Sequence, residues 1–140
     1  MALALSADSI TLSIPHAKSF HGVARLVVGG LAARLALSYE HLEDLQLALE
    51  SVLEREGCVL GQEVVVRLDV AHDAVVMEIG PLDPVKLGAE LRREAADEIS
   101  LGRVLSALVE EISLEERDGG HRLRLEKRVP MTRPEPREPA

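Results

Sequence analysis

The segment from residue 39 to residue 56 constrains the fold most, because it carries the clearest helical pattern in the chain. Its apolar residues recur at intervals of three and four, so they form one stripe along a helix. These residues are Leu42, Leu45, Leu49, Val52 and Leu53. Gln46 and Glu50 fall at the edge of the stripe, where a side chain can lie half in a core and half in a cleft, and Glu54 lies further toward solvent. The stripe predicts a core-facing helix, and Glu50 belongs either to a functional cleft or to an ordinary solvated flank.

The composition bounds both the size of the core and the class of partner. A chain of 140 residues is long enough for one domain with a single two-layer core. Aromatic residues are limited to Phe20 and Tyr39, so the core has to be built from Leu, Val, Ile and Ala. Their scarcity argues against nucleic-acid modules that stack bases on aromatic rings. The net charge of -8 also opposes binding to a phosphate backbone and favours a protein partner.

Cysteine usage and hydropathy indicate the compartment. The single cysteine, Cys58, excludes an intrachain disulfide and a multi-cysteine zinc site, which fits a reducing environment. The first ten residues lack the basic and long apolar regions of a secretion signal. The longest nonpolar run, residues 26–33, is too short to span a bilayer. We therefore expect a cytoplasmic protein with no membrane association.

The remaining chain alternates strand-like and helix-like patterns, which we take in order. We predict a strand over 10–14 that Pro15 ends, then a helix over 17–37 and the helix over 39–56, which has Ser38 as its N-cap and Gly57 as its end. A hairpin of strands 64–70 and 74–79 follows, and then a loop with a weakly attached helix over 80–100. The last elements are a helix whose apolar face runs from Leu101 to Ile112 and a hairpin of strands 112–116 and 123–129.

This order of elements predicts an α+β two-layer sandwich, with a mixed or antiparallel sheet and the helices packed on one face. We expect one domain over residues 1–129 and a proline-rich disordered tail over 130–140. Gly29 and Gly30 lie inside the first helix, where each costs about 1 kcal/mol relative to alanine. Either that helix is weak at this point or another element packs closely against it.

The common chemical motifs are missing. His16 and His21 are five residues apart, which is not the spacing of a metal pair on one face of a helix, so we expect no metal site. No G-x-S-x-G elbow is present, and packing explains Cys58 better than a nucleophilic role. The usual phosphate-binding loops, G-x-x-x-x-G-K-[ST] and G-x-G-x-x-G, are also missing.

A family resemblance emerges from the order and spacing of four segments along residues 10–129. They are Ile14-Pro15 before a long helix that contains Arg25, the run from Leu45 to Glu50, the apolar strand that ends in Glu78-Ile79-Gly80-Pro81, and Leu108-Val109-Glu110-Glu111 before a hairpin that contains Gly120 and Leu125-Glu126-Lys127-Arg128. This arrangement resembles the RsbW-type anti-sigma factor serine kinases, within the GHKL or Bergerat-fold ATPases.

The resemblance implies where the chemistry of such a kinase would lie. Glu50 would be the catalytic acid that prepares the attacking hydroxyl, and Glu54 stands where the family has an asparagine that holds magnesium. Glu78 stands where an aspartate recognises adenine, and Gly80 keeps the first glycine of that motif. Its second glycine is replaced by Leu82.

The glycine-rich lid of the family corresponds here to residues 89–104, which contain Arg92, Arg93, Glu94 and Glu98. Gly88 and Gly102 are the only glycines nearby, and Gly102 is the candidate that could still approach a nucleotide. A phosphate cradle needs several open backbone N–H groups, which this segment does not provide. The apolar scaffold of the family is therefore kept, while the motifs for nucleotide binding are eroded.

Three readings of the function stay open. The favoured one is a catalytically inactive regulatory domain without a cofactor. As the resemblance implies, it would bind a sigma factor or a STAS-domain antagonist and could form a homodimer. The second is an active serine kinase that uses ATP with magnesium, in which Glu50 is the base and Glu54 and Glu78 hold the metal and the nucleotide. The third is an unrelated α+β binding or assembly domain.

Overall fold

The computed structural model describes residues 2–5, 9–34, 37–55, 57–70, 73–92, 100–117 and 120–129. These residues form six strands and four helices. They are β1 (Ala2–Leu5), β2 (Ser9–Pro15), α1 (Lys18–Arg34), α2 (Tyr39–Leu53), β3 (Glu63–Val70), β4 (Ala74–Leu82), α3 (Pro84–Arg92), α4 (Leu101–Leu108), β5 (Glu111–Arg117) and β6 (Gly120–Arg128). The strands form one sheet in the order β1-β2-β3-β4-β6-β5, and every pair of neighbours in it is antiparallel.

The strand register separates two faces of the sheet. One row of partners across it is Ile10, Leu68, Met77, Leu125 and Ile112, and the next row is Thr11, Arg67, Glu78, Arg124 and Ser113. Because successive side chains on a strand point to opposite faces, these rows lie on opposite sides of the sheet. The apolar row belongs to the hydrophobic core, together with residues of all four helices. We call this side the helix face and the other side the open face.

The helices form a single layer on the helix face. The second helix, α2, contacts α1 on one side and α4 on the other, and α3 packs on α4. The predicted stripe of α2 is largely confirmed, since Leu45, Leu49, Val52 and Leu53 are buried and Leu42 is half-buried. The predicted α+β two-layer sandwich with helices on one face is therefore confirmed, and the sheet is antiparallel throughout the described strands.

Local signals explain where the helices begin. The hydroxyl of Ser38 accepts a hydrogen bond from the backbone N–H of His41 and caps α2, as predicted. Ser100 does the same for α4 through the N–H of Arg103. At the start of α3, the carboxylate of Asp83 accepts from the N–H groups of Val85 and Lys86, and Pro84 occupies the first helical position, which needs no N–H. None of the helices in the described ranges combines the length and apolarity that crossing a bilayer requires.

Of the two alternatives for the glycines of the first helix, close packing by another element is the one that the structure shows at Gly29. A Cβ there would lie 3.1 Å from Nε2 of Gln46 on α2. The same Gln46 nitrogen donates to the backbone oxygen of Arg25 at 3.0 Å. Gly29 therefore lets α1 and α2 come together. At Gly30, no atom of the residues that the structure describes lies within 4 Å of the corresponding position, so close approach does not explain this glycine.

Several predicted boundaries are wrong. The strand β1 was missed, α1 ends at Arg34, and α2 ends at Leu53, four residues before the positive-φ Gly57. The strand β4 continues to Leu82 through a cis Gly80-Pro81 bond, with its register to β6 shifted between Ile79 and Leu82.

Three further differences concern the second half of the chain. The helix α3 is not weakly attached, because Leu87 is fully buried in the core. The helix α4 ends at Leu108, so Ile112 belongs to β5. The predicted tail over 130–140 and part of the predicted lid lie outside the described residues.

Candidate functional site

Glu50 lies on the side of α2 that faces α1. Its Oε1 accepts a hydrogen bond from Nη1 of Arg25 at 3.1 Å. Both Gln46 and Glu50 are half-buried, so their predicted position at the edge of the apolar stripe is confirmed. An ion pair at this exposure contributes on the order of 0–1 kcal/mol to stability. Glu50 is thus engaged by α1, on the opposite side of α2 from α4.

Glu54 is exposed at the C-terminal end of α2, and its backbone N–H donates to the oxygen of Glu50. It borders a hollow of about 510 Å³ between the start of α1 and the end of α2, which we call the α1–α2 cavity. The residues that line this cavity are His16, Lys18, His21, Leu53, Glu54 and Arg55. Glu54 therefore stands among basic side chains.

Glu78 lies on the open face of the sheet, where its neighbours in register are Arg67 and Arg124. It is only 5% exposed. Its Oε2 accepts a hydrogen bond from Nη1 of Arg117 at 3.1 Å, and Nη1 of Arg122 lies 3.9 Å away. The sheet itself therefore separates Glu78 from Glu50 and Glu54, which belong to the helix layer.

The residue beside Glu78 that does face the helices is Ile79, which is fully buried. Its hydrocarbon side chain can neither donate nor accept a hydrogen bond to a nucleobase. The described helix face thus offers no carboxylate at this point of β4. We therefore expect Ile79 to contribute to packing only.

The two candidate glycines are explained by packing. A Cβ on Gly80 would lie 2.7 Å from Cγ of Arg122 and 3.0 Å from the backbone oxygen of His121, so the absence of a side chain lets β4 and β6 approach on the open face. A Cβ on Gly102 would collide with the backbone carbonyl of Leu91, so this glycine lets α4 pack against α3. Both glycines have a role in the fold without any ligand.

The structure does not bring the five predicted site residues together. Glu50 faces α1, Glu54 borders the α1–α2 cavity, Glu78 and Gly80 lie on the open face, and Gly102 lies between α3 and α4. A site that held magnesium with Glu54 and adenine with Glu78 would have to extend through the sheet. The residues present therefore do not fit a magnesium nucleotide in the arrangement that the sequence suggested.

A different surface appears between α2 and α4. Leu47 is 46% exposed and lies opposite α4, beside a hollow of about 440 Å³ that we call the α2–α4 groove. Its lining is mostly hydrocarbon and consists of Leu47, Ser51, Arg103, Val104, Ala107 and Leu108. A second hollow of about 630 Å³ lies on the other flank of α4, toward α3 and β5, and shares Arg103 and Ala107 with the groove. The outer surface of α4 is therefore accessible along both sides.

The sequence held a signal for this groove that we did not use. Leu47 lies outside the apolar stripe of α2, and a leucine off the stripe of an amphipathic helix is expected in solvent unless something covers it. The apolar face predicted for α4 is also wider than its buried part, because only Leu101 and Leu105 are buried while Val104 is half-buried. Both features point to the same groove.

Two titratable groups show how burial shapes reactivity. Cys58 is fully buried, and desolvation raises the pKa of its thiol, so the predicted packing role is confirmed. At the α1–α2 cavity, burial lowers the pKa of His21, with a further contribution from the nearby charge of His16. His21 is therefore mainly neutral at pH 7.

Comparisons with known proteins agree with this architecture. No family profile matches the chain. A stretch of 46 residues is 39% identical to the serine-protein kinase RsbW of Oceanobacillus iheyensis, and it spans 33% of this chain and 29% of that protein. A crystal structure of the RsbU and RsbW domains of a Mycobacterium tuberculosis protein superposes with a TM-score of 0.57 and 17% identity, over 85% of this chain and 32% of that one.

These findings, together with the sheet and its single helix layer, define an α+β two-layer domain. More particularly, the chain has an RsbW-like fold. The expected fold resemblance is thereby confirmed. The chain spans less than a third of the length of each of these two proteins, so the activities of whole RsbW proteins come to it only as proposals.

Proposed function

We propose that this chain is a regulatory protein-binding domain that receives a partner in the α2–α4 groove. The observation that carries the proposal is the exposed hydrocarbon lining between the two helices, with Leu47 at 46% exposure. Contiguous apolar surface on a soluble domain is typical of a binding site, and a groove between helices suits an amphipathic helix of a partner. Arg103 on the groove wall would pair with an acidic residue on the flank of that helix.

Two further features support binding rather than catalysis. The candidate residues for nucleotide chemistry are divided between the two faces of the sheet, as described above. The net charge of -8 suits a protein partner better than a nucleic acid. By the resemblance to RsbW, the partner would be a sigma factor or a STAS-type antagonist in the cytoplasm, and self-association as a homodimer belongs to the same proposal.

Substitution of Leu47 tests the groove directly. Leu47→Glu places a charge in the apolar lining, and we expect it to weaken capture of the sigma factor or STAS protein from the native host by at least tenfold. Leu60→Glu is the matched control, because Leu60 is 43% exposed and lies outside the groove. Equal capture by the two variants, or capture of neither class by the unaltered chain, would overturn the proposal.

The second candidate function is an active serine protein kinase with ATP and magnesium as cofactors. Similarity to a protein named serine-protein kinase RsbW favours it. Glu50 would act as the base, and Glu54, Glu78, Gly80 and Gly102 would have to serve the nucleotide. The separation of Glu78 from Glu54 by the sheet opposes this arrangement.

A phosphotransfer assay distinguishes the two functions. Under the kinase alternative, the chain transfers labelled phosphate from ATP to a STAS protein of the same host. Glu50→Gln then abolishes this transfer, while Glu43→Gln on the same helix leaves it unchanged. Under the proposal, neither the unaltered chain nor Glu43→Gln transfers phosphate above background.

A further inference from the structure

We propose that the α1–α2 cavity is a binding site for a phosphate-type dianion, a property independent of the α2–α4 groove. The cavity measures about 510 Å³, which is ample for a phosphoryl group and its hydration. Two permanently charged side chains, Lys18 and Arg55, line it together with the imidazoles of His16 and His21, although the chain as a whole is strongly acidic. Such a local reversal of charge in a concave site attracts an anion.

An unpartnered polar atom supports the presence of a ligand. Among the described residues, Nε2 of His21 is the buried side-chain polar atom that has no hydrogen-bond partner. Buried polar atoms are nearly always hydrogen-bonded, and this nitrogen, which solvent does not reach, would gain a ligand as partner once the ring turns toward the cavity. The ring of His21 stacks on that of His16, with centroids 6.1 Å apart and planes inclined by 22°. The two imidazoles are thereby held beside each other near the N-terminal end of α1.

The charges around the cavity leave room for an anion. Lys18 forms no ion pair with any residue in the described ranges, so its ammonium is available. Arg55 is shared with Glu90, whose Oε2 lies 3.4 Å from Nη1 of the arginine. Glu54 is the acidic residue in the lining and opposes the anion. No group of three or more His, Cys, Asp or Glu side chains in the described chain is placed to hold a metal ion, which favours an anion over a cation.

The site also predicts a pH dependence. The pKa of His21 is lowered by burial and by His16 and Lys18, against the opposing charges of Glu54 and Glu50. A bound dianion stabilises the protonated imidazole and raises this pKa, so binding takes up a proton. Affinity therefore increases as pH falls from 8 to 6. Sulfate is the suitable probe, since it remains a dianion over this range, whereas inorganic phosphate takes up a proton within it and a phosphoserine side chain does so near its second pKa of about 6.

The experiment is calorimetric titration of the full chain with sodium sulfate and with inorganic phosphate, at an ionic strength held constant with sodium chloride. We expect saturable binding that Lys18→Gln weakens by about tenfold. Lys86→Gln removes the same charge outside the cavity and is expected to leave the affinity unchanged. Thermal melts of both variants establish that they fold like the unaltered chain.

Glu54→Gln determines the sign of the ligand charge. For an anion, removal of this carboxylate strengthens binding of sulfate by several-fold, because it removes a repulsive charge. If Glu54→Gln instead weakens the site, or if zinc chloride binds and Glu54→Gln abolishes that binding, the cavity holds a cation and the proposal is wrong. Equal sulfate affinities for Lys18→Gln and Lys86→Gln would also overturn it.

A phosphoserine peptide and free phosphate present the same dianion. Titration with a phosphoserine peptide, its unphosphorylated form and inorganic phosphate separates the two sources. Tighter binding of the phosphopeptide identifies a phosphorylated protein as the source, and equal binding of phosphopeptide and phosphate identifies the free anion. Equal binding of the two peptides, phosphorylated and unphosphorylated, contradicts the proposal.

Discussion

The face of the sheet that the helices cover is mainly hydrocarbon, whereas the open face bears a network of charged side chains. On the open face, Glu78 lies beneath Arg117 and Arg122, and Arg67 pairs with Asp69 at 3.0 Å. Among the described residues, each face has one buried charged side chain, Lys127 on the helix face and Glu78 on the open face. The fold therefore depends mainly on the helix face, while the polar residues of β4 belong to a surface remote from the helices.

The two buried charges are satisfied in different ways. Nζ of Lys127 donates to Oδ2 of Asp44 at 2.8 Å and to the backbone oxygen of Leu108 at 2.7 Å, so it joins β6 to the start of α2 and the end of α4. Glu78 is instead paired with arginines that remain partly in water. Loss of a partner is therefore expected to cost more on the helix face than on the open face.

The largest difference is expected for a pair of adjacent valines on β4. Val75 is fully buried in the core, whereas Val76 lies on the open face outside it. Val75→Ala should lower the free energy of unfolding by about 2–3 kcal/mol, because a rigid core leaves a cavity. Val76→Ala should cost only about 1 kcal/mol, since flexible arginine stems can cover the gap. Urea unfolding measures both, and equal losses would mean that the open face is packed as rigidly as the core.

The next effect concerns Lys127. Asp44→Ala leaves the buried ammonium with the carbonyl of Leu108 as its remaining acceptor, and we expect a loss of about 1–3 kcal/mol in urea unfolding. Adding Lys127→Met to Asp44→Ala removes the uncompensated charge and should restore much of that loss. A double variant no more stable than Asp44→Ala would show that the ammonium is not the source of the cost.

On the open face, Glu78→Ala is expected to cost about 1–2 kcal/mol. The loss is smaller because the side chains of Arg117 and Arg122 are 46% and 30% exposed and can hydrate once the carboxylate is gone. Glu115→Ala, which removes a weaker partner 3.7 Å from Arg117, serves as the control and should change stability by less than about 0.5 kcal/mol. If Glu78→Ala lowers the free energy of unfolding by more than Asp44→Ala, the buried charge of the open face contributes more to stability than that of the helix face, contrary to the prediction.

The smallest effect is a pH dependence on the open face. A hydrogen bond with Glu111, its cross-strand partner, raises the pKa of Glu126 above its ordinary value of 4.5, and burial adds to the shift. Because the folded pKa is raised, this contribution to stability is present below pH 4.5 and is lost as pH rises through the folded pKa. At neutral pH the two carboxylates repel, so Glu111→Gln should stabilise the fold by roughly 0.2–1 kcal/mol.

Thermal melts between pH 4 and pH 8 check this prediction. The advantage of Glu111→Gln over the unaltered chain should grow with pH and reach a plateau near neutrality. Glu116→Gln on the same strand is the control, since Glu116 does not face Glu126 in the register. An advantage that is constant over the whole range would show that the two carboxylates do not share a proton.

Much of the fold was predictable because its signals are local. The apolar stripe of α2, the cap at Ser38 and both hairpins follow from residues close together in sequence. The strand β1 was not, because a run of four residues such as Ala-Leu-Ala-Leu becomes a strand only through its pairing with β2. The continuation of β4 through Pro81 depends in the same way on the neighbouring strands.

The candidate site was harder to predict, because it required knowing which way each side chain faces. The alternation of Val75, Met77 and Ile79 in fact places Glu78 on the other face, and that signal was available in the sequence. The pairing of Glu50 with Arg25 was not, since it joins residues on two different helices. A motif read along the chain therefore has to be checked against the face on which each of its residues lies.

The separation of Glu78 from the helix layer implies that the chain has no adenine pocket. Thermal melts with magnesium ATP and with magnesium tripolyphosphate, which has the same phosphates but no adenosine, test this directly. A nucleotide pocket also binds the base, so ATP at about 100 times its Kd would stabilise the fold by about 2.7 kcal/mol, and tripolyphosphate at the same concentration would stabilise it by less. Because Glu78 is separated from the helix layer, we predict that the two ligands shift the melting temperature equally. A saturable shift with ATP that exceeds the shift with tripolyphosphate would show that the chain has a nucleotide pocket despite the position of Glu78.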